Sequence, residues 1–84
     1  MPELRVLFFA RSRELAGSSQ GSLSFPEGAT SAQLARLLLE QYPALEEMRG
    51  TFALSLNQEY VDPSEPAPLG AGDEVAVIPP ISGG

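Results

Sequence analysis

The chain has 84 residues, 43% of them hydrophobic, a formal net charge of -6 and no cysteine or histidine. This length accommodates one domain, and folding a chain this short buries only roughly 60–65% of its unfolded surface, so a small core is expected rather than an enclosed substrate cavity. The acidic balance disfavours nucleic acid and anionic membrane as partners and favours a basic protein surface.

Residues 4–10, apolar and aromatic, predict a first strand. Residues 11–16 suit a short helix stopped by Gly17, and a polar turn follows over 18–21. Residues 22–25 alternate and pair with the first strand as a hairpin, which Pro26-Glu27-Gly28 breaks. The main helix is predicted to begin at Thr30, whose spacing to Gln33 matches a capping box. Leu34, Leu37, Leu38 and Tyr42 form its apolar stripe. Pro43 ends it, because the residue before a proline avoids the helical region, and opens a helical turn through Met48 closed by Gly50. Residues 52–56 alternate as a third strand, Asn57-Gln58 make a tight turn, and residues 59–61 form a short fourth strand. Residues 62–68 hold three prolines and read as a loop. After a turn at 70–73, residues 74–78 form the last strand, and Pro79-Pro80 cannot continue its ladder.

This order predicts an α+β fold of β-grasp type: a mixed sheet with one main helix packed on one face. A crossover would make the first and last strands parallel neighbours. Residues 1–78 then form the domain and residues 79–84 an extended tail ending in Gly83-Gly84. Alternation directs Leu4, Val6, Phe8, Leu54, Leu56, Val61, Val75 and Val77 towards the helix. Arg5, Leu7, Phe9, Tyr60, Ala76 and Ile78 fall on the other face. Leu7, Phe9, Tyr60 and Ile78 are too apolar for a solvated face and predict a protein-docking patch beside the root of the tail.

The residue types present limit the chemistry. Without Cys there is no thiolate or persulfide on the chain, and without His the commonest general base and metal ligand is missing. All five basic residues are Arg, so no lysine amine can form a Schiff base or attack an activated terminus. Jointly these absences argue against a self-sufficient enzyme. They suit a carrier whose working group is the carboxylate of Gly84, on a Gly-Gly thread that has no Cβ and fits a narrow channel. Pro79 and Pro80 would stiffen that stalk, reducing the entropy lost on insertion. Its six residues reach at most about 20 Å. Arg11 and Arg13 read as solvated helix charges. Asp73-Glu74 reads as a turn residue and a strand-edge charge rather than a metal pair, and no metal site is expected.

Several segments in order carry a family resemblance: Val6-Leu7-Phe8-Phe9-Ala10, Arg13-Glu14-Leu15, Asn57-Gln58-Glu59-Tyr60-Val61, and residues 72–84 with their Gly-Asp-Glu strand and Pro-Pro-x-x-Gly-Gly ending. They resemble the small, sulfur-carrying subunits of molybdopterin synthase, of the ubiquitin-like β-grasp class. The resemblance implies that a ubiquitin-activating-type adenylyltransferase uses ATP to adenylate Gly84, that a sulfur donor protein converts it to a thiocarboxylate, and that the sulfur passes to the cyclic pyranopterin precursor of molybdenum cofactor. It implies a large synthase subunit as partner, in a heterotetramer of two small and two large subunits, supplying the catalytic groups. Phe9, Tyr60, Ile78, Pro79, Pro80, Ile81, Ser82 and Gly83 are the implied partner-binding residues. No permanently bound cofactor is implied. With Met1 followed by Pro2-Glu3 rather than a basic and then apolar leader, and apolar runs far short of the roughly 20 residues that span a bilayer, a cytosolic location is expected. Two other readings share the Gly-Gly ending: a ubiquitin-like modifier joined to target lysines through Gly84, and the thiamine-pathway sulfur carrier. The Pro-Pro-Ile-Ser stalk and the length argue against the thiamine-pathway carrier.

Overall fold

The computed structural model describes residues 2–48, 53–62 and 64–78. Five strands form one mixed sheet: β1 (Glu3–Phe8), β2 (Gln20–Ser24), β3 (Ala53–Leu56), β4 (Glu59–Tyr60) and β5 (Glu74–Ile78). Their lateral order is β2-β1-β5-β3-β4. β1 and β5 run parallel at the centre, with Arg5 opposite Glu74 and Phe8 opposite Val77. β2 is antiparallel to β1, and β3 is antiparallel to both β5 and β4. The predicted parallel pairing of first and last strands is therefore present.

Helix α1 (Ala10–Ala16) links β1 to β2 and ends at Gly17, whose φ of 82° is the left-handed cap conformation that glycine adopts without a Cβ clash. It starts one residue earlier than the sequence predicts, with Ala10 at φ 51°. The predicted strand at 22–25 is displaced. β2 runs from Gln20 because Phe8 N–H still bonds to Ser19 C=O, and Phe25 lies past its end, buried and bonded through its N–H to Pro2 C=O.

The main helix also opens differently. Residues Ser31–Gln33 form a 3₁₀ turn before helix α2 (Leu34–Gln41). The Gln33 carboxamide oxygen accepts from Thr30 N–H at 2.9 Å, the return half of the expected capping box. Ser31 explains the tighter start. Its N–H bonds to Ala67 C=O and its hydroxyl oxygen accepts from Ala67 N–H, tying the helix entry to the proline-rich loop. α2 ends at Tyr42 before a 3₁₀ turn, Pro43–Met48, as the proline requires. Gly50 and Phe52 lie outside the described residues.

The core lies between α2 and one sheet face. Leu4, Val6, Phe8, Val75 and Val77 meet Leu34, Leu37 and Leu38, with Leu23, Phe25, Ala29 and Leu45 closing the margins. Leu54, Leu56 and Val61 pack against this cluster half-buried. Every residue assigned to the helix face by alternation is there. β4 ends at Tyr60 rather than Val61, although Val61 N–H still bonds to Leu54 C=O.

The outer strand β2 is covered by the end of α2. The Gln41 carboxamide donates to Ser24 C=O at 2.8 Å and accepts from Ser24 N–H at 2.9 Å. The Tyr42 hydroxyl donates to Ser22 C=O at 2.7 Å and accepts from Ser22 N–H at 3.2 Å. Two side chains thus occupy the backbone groups that a further strand would use. The Tyr42 ring packs edge-on against Phe8 with centroids 5.0 Å apart. Gly21 permits this approach, since a Cβ there would collide with the Tyr42 hydroxyl.

Candidate functional site

The sheet face opposite α2 is built by the alternate residues of its strands. One transverse row reads Leu7, Ala76, Ser55 and Tyr60, set by the pairs Leu7–Ala76, Ala76–Ser55 and Ser55–Tyr60. The next row towards the end of β5 holds Ile78 beside Ala53. Phe9, one residue past the Phe8–Val77 pair, continues the β1 register beside Ile78. Neighbouring strands lie about 4.8 Å apart and same-face residues on a strand about 6.7 Å. Phe9, Ile78, Leu7 and Ala76 are therefore contiguous, with Tyr60 at the far margin.

Among the described residues no helix lies over this face. Phe9 is 46% exposed and Tyr60 67%, while Leu7, Ala76 and Ile78 are half-buried among their strand neighbours. Ser55, which the sequence does not single out, is buried between Ala76 and Tyr60 in the strand register. The predicted residues Phe9, Tyr60 and Ile78 thus share one face, and Phe9 and Ile78 adjoin at the C-terminal end of the central strand. Towards the opposite end of that strand, Arg5 and Glu74 face each other at 3.6 Å, a solvent-exposed pair contributing little stability. Pro79, Pro80, Ile81, Ser82, Gly83 and Gly84 lie outside the described residues.

Asp73 acts as the turn residue expected. Its carboxylate accepts from Gly70 N–H at 2.7 Å and from the Asn57 side-chain amide at 3.0 Å, and the Asn57 carboxamide oxygen accepts from Glu74 N–H at 3.0 Å. Asn57 and Gln58 have φ of 52° and 72°, the mirror-image turn that suits a two-residue hairpin. The β3–β4 hairpin is thereby locked to the entry of β5. Arg11 is exposed, as a solvated helix charge is expected to be, and its guanidinium also bridges Glu14 at 2.9 Å and Glu47, joining α1 to the 3₁₀ turn after α2. The hydrogen bonds it donates to Glu14 and then to Glu47 raise its pKa further above the usual arginine value. Among the described residues no group of three or more acidic side chains is placed to hold a metal ion, and no helix is long and apolar enough to cross a membrane.

A parallel-centred mixed sheet with one helix layer and an apolar opposite face defines a ubiquitin-like β-grasp domain. The ThiS family model matches residues 6–84. Molybdopterin synthase sulfur carrier subunits from Chlamydomonas reinhardtii and Arabidopsis thaliana are 43% and 45% identical, each over 98% of this chain and over 99% and 83% of their own lengths. Among solved structures, SAMP1 from Haloferax volcanii superposes with a TM-score of 0.79 at 29% identity, covering 98% of this chain and 99% of that one. A molybdopterin-converting factor subunit 1 from Pyrococcus furiosus gives 0.77 at 27% identity over 96% and 100% of the two chains. The chain belongs to the ThiS family and, within it, to the molybdopterin synthase sulfur carrier subunits.

Proposed function

We propose that this protein carries sulfur on the carboxylate of Gly84 for the synthesis of molybdopterin. One observation carries the reading: exposed Phe9, just past the end of β1, adjoins partly buried Ile78, the last residue of the central strand β5, immediately before residue 79. A carrier needs such an arrangement, a docking surface next to the point from which its working segment departs. The names of the relatives support sulfur as the cargo and molybdopterin as its destination; the activation steps are what the family resemblance implies. An adenylyltransferase of ubiquitin-activating type would transfer AMP from ATP to the Gly84 carboxylate and release pyrophosphate. A carboxylate is a poor acyl donor, and adenylation gives it a leaving group. Sulfide-level sulfur delivered by a donor protein would then attack the acyl carbon and displace AMP, leaving a thiocarboxylate, a soft nucleophile for the pyranopterin precursor.

The domain's own work is to bind and present. Its apolar face would dock on the large synthase subunit, in an assembly of two small and two large subunits, while residues 79–83 follow a channel into the partner's pocket. Proton transfer and charge stabilisation fall to the partner, because this chain has neither His nor Lys. ATP is consumed on the activating enzyme and no resident cofactor is needed. The reaction belongs in the cytosol.

Intact-mass spectrometry after incubation with activating enzyme, ATP and sulfur donor tests the proposal. The expected product carries one sulfur in place of one oxygen at the C-terminus. An unchanged mass, together with full molybdoenzyme activity in cells lacking Gly84, overturns it. The likeness to SAMP1, whose fuller name is small archaeal modifier protein 1, favours a second reading, conjugation of Gly84 to lysines of other proteins. High-mass isopeptide adducts in the same spectra would identify that activity.

A further inference from the structure

The backbone of Phe9 is held in an unusual way. The β1–β5 ladder ends at Phe8 and Val77, so Phe9 lies beyond it. Phe9 is extended, with φ -123° and ψ 151°, and the next residue, Ala10, turns into the left-handed region at φ 51°. A residue in this corner would leave both of its peptide groups without a strand partner. Ser12 takes both of them. Its hydroxyl oxygen accepts from Phe9 N–H at 3.0 Å and its hydroxyl donates to Phe9 C=O at 2.7 Å, while its own N–H bonds to the same carbonyl at 3.1 Å.

Ser12 has no solvent exposure. A serine inside a short helix has poorer propensity than alanine or leucine, and a buried hydroxyl is costly unless fully bonded. Here the hydroxyl both donates and accepts, and both partners belong to Phe9, the residue whose exposed aromatic ring adjoins the end of β5. We infer that Ser12 is a positioning residue for partner binding: it fixes the Phe9 backbone so that the ring is already set beside Ile78 when the large subunit docks. The inference rests on the docking face proposed above and adds to it a specific source of pre-organisation. An anchor fixed in the free protein loses less freedom on binding.

A double-mutant cycle measured with the full chain and the large synthase subunit tests both claims separately. Affinities are read by calorimetry, at a temperature where circular dichroism shows every variant folded. Phe9→Ala is expected to weaken binding by about 10-fold or more, as an aromatic anchor at an interface does. Ser12→Ala, which leaves the Phe9 ring in place, is expected to weaken it about three- to tenfold through lost pre-organisation. In the Phe9→Ala background the Ser12→Ala change should cost less than about twofold, since no ring remains to position. Hydrogen exchange at the Phe9 amide, slow in the wild type, should accelerate in Ser12→Ala. If Ser12→Ala binds like the wild type, or its penalty persists undiminished without the ring, Ser12 is purely structural and the inference is wrong, while the docking face stands. If Phe9→Ala itself binds like the wild type, the docking role of Phe9 fails and the inference falls with it.

Discussion

Removing the side-chain cover of β2 has a cost that can be worked out from four hydrogen bonds. Tyr42→Phe deletes the donor to Ser22 C=O and the acceptor for Ser22 N–H and keeps the ring on Phe8. Ser22 is exposed, so water replaces much of what is lost, and the two bonds together should be worth about 1 kcal/mol. Gln41→Ala removes the equivalent pair at Ser24 for a similar amount. The sites are adjacent on one strand, so the double variant should lose about 2 kcal/mol with modest coupling. For a chain of this length 1 kcal/mol moves the melting temperature by about 5–6 °C, placing the single variants about 6 °C and the double variant about 11 °C below the wild type. Differential scanning calorimetry reads these shifts. Because the cover also blocks strand addition, the double variant should self-associate at high concentration through β2, seen by analytical ultracentrifugation. A double variant that melts within about 2 °C of the wild type and stays monomeric would refute the reasoning: water would then serve the edge as well as the side chains do.

Three further predictions concern other parts of the molecule. Ile78→Asp puts a charge in the centre of the apolar face and should weaken binding of the large subunit by more than about 10-fold with the far-UV spectrum unchanged; unaltered affinity would remove the face from the interface. Ala10→Gly relieves the left-handed strain at φ 51°, offset in part by the greater freedom of glycine when unfolded, for a net gain of about 0.5 kcal/mol in chemical denaturation; a loss of stability would contradict this. The Asp62 carboxylate accepts from the Ser64 hydroxyl and then the Ser64 N–H, which lower its pKa below the usual carboxylate value. Its contribution is therefore complete above the unfolded pKa and disappears as pH falls through the folded one. A carboxyl carbon titration by NMR should place Asp62 below the ordinary aspartate value and return it there in Ser64→Ala.

The central features of the fold were legible because they rest on period-2 alternation and on short-range breakers. Leu4, Val6, Phe8, Val75 and Val77 declare a shared face, and Pro43 and Gly17 end helices for local steric reasons. Asn57-Gln58 was readable as a turn from its position between alternating runs. What the sequence did not disclose depends on contacts across long separations. Arg11 reads only as a solvated charge, and its partner Glu47 comes from 36 positions away. The loop over 62–68 reads only as proline-rich, yet Pro68 bridges to Thr30 and Ala67 to Ser31. Tyr42 was legible as part of an apolar stripe, but its hydroxyl has work on β2 that no periodicity encodes. Ser12 is the sharpest case. A serine in a short polar-faced helix predicts an exposed side chain, and only the left-handed turn at Ala10 folds it back onto Phe9.

The parallel pairing of β1 with β5 has a mechanical consequence. Tension applied between the start of β1 and the far end of β5 runs along both strands, so the registered pairs from Arg5–Glu74 to Phe8–Val77 bear load together, in shear. The two-residue β4, at the sheet margin, can instead be peeled away from β3 at far lower force. Pulling on the chain beyond Ile78 therefore meets the strongest seam in the molecule first. In the proposed carrier cycle, where that end would enter other proteins, this arrangement would make the domain hard to unravel from it.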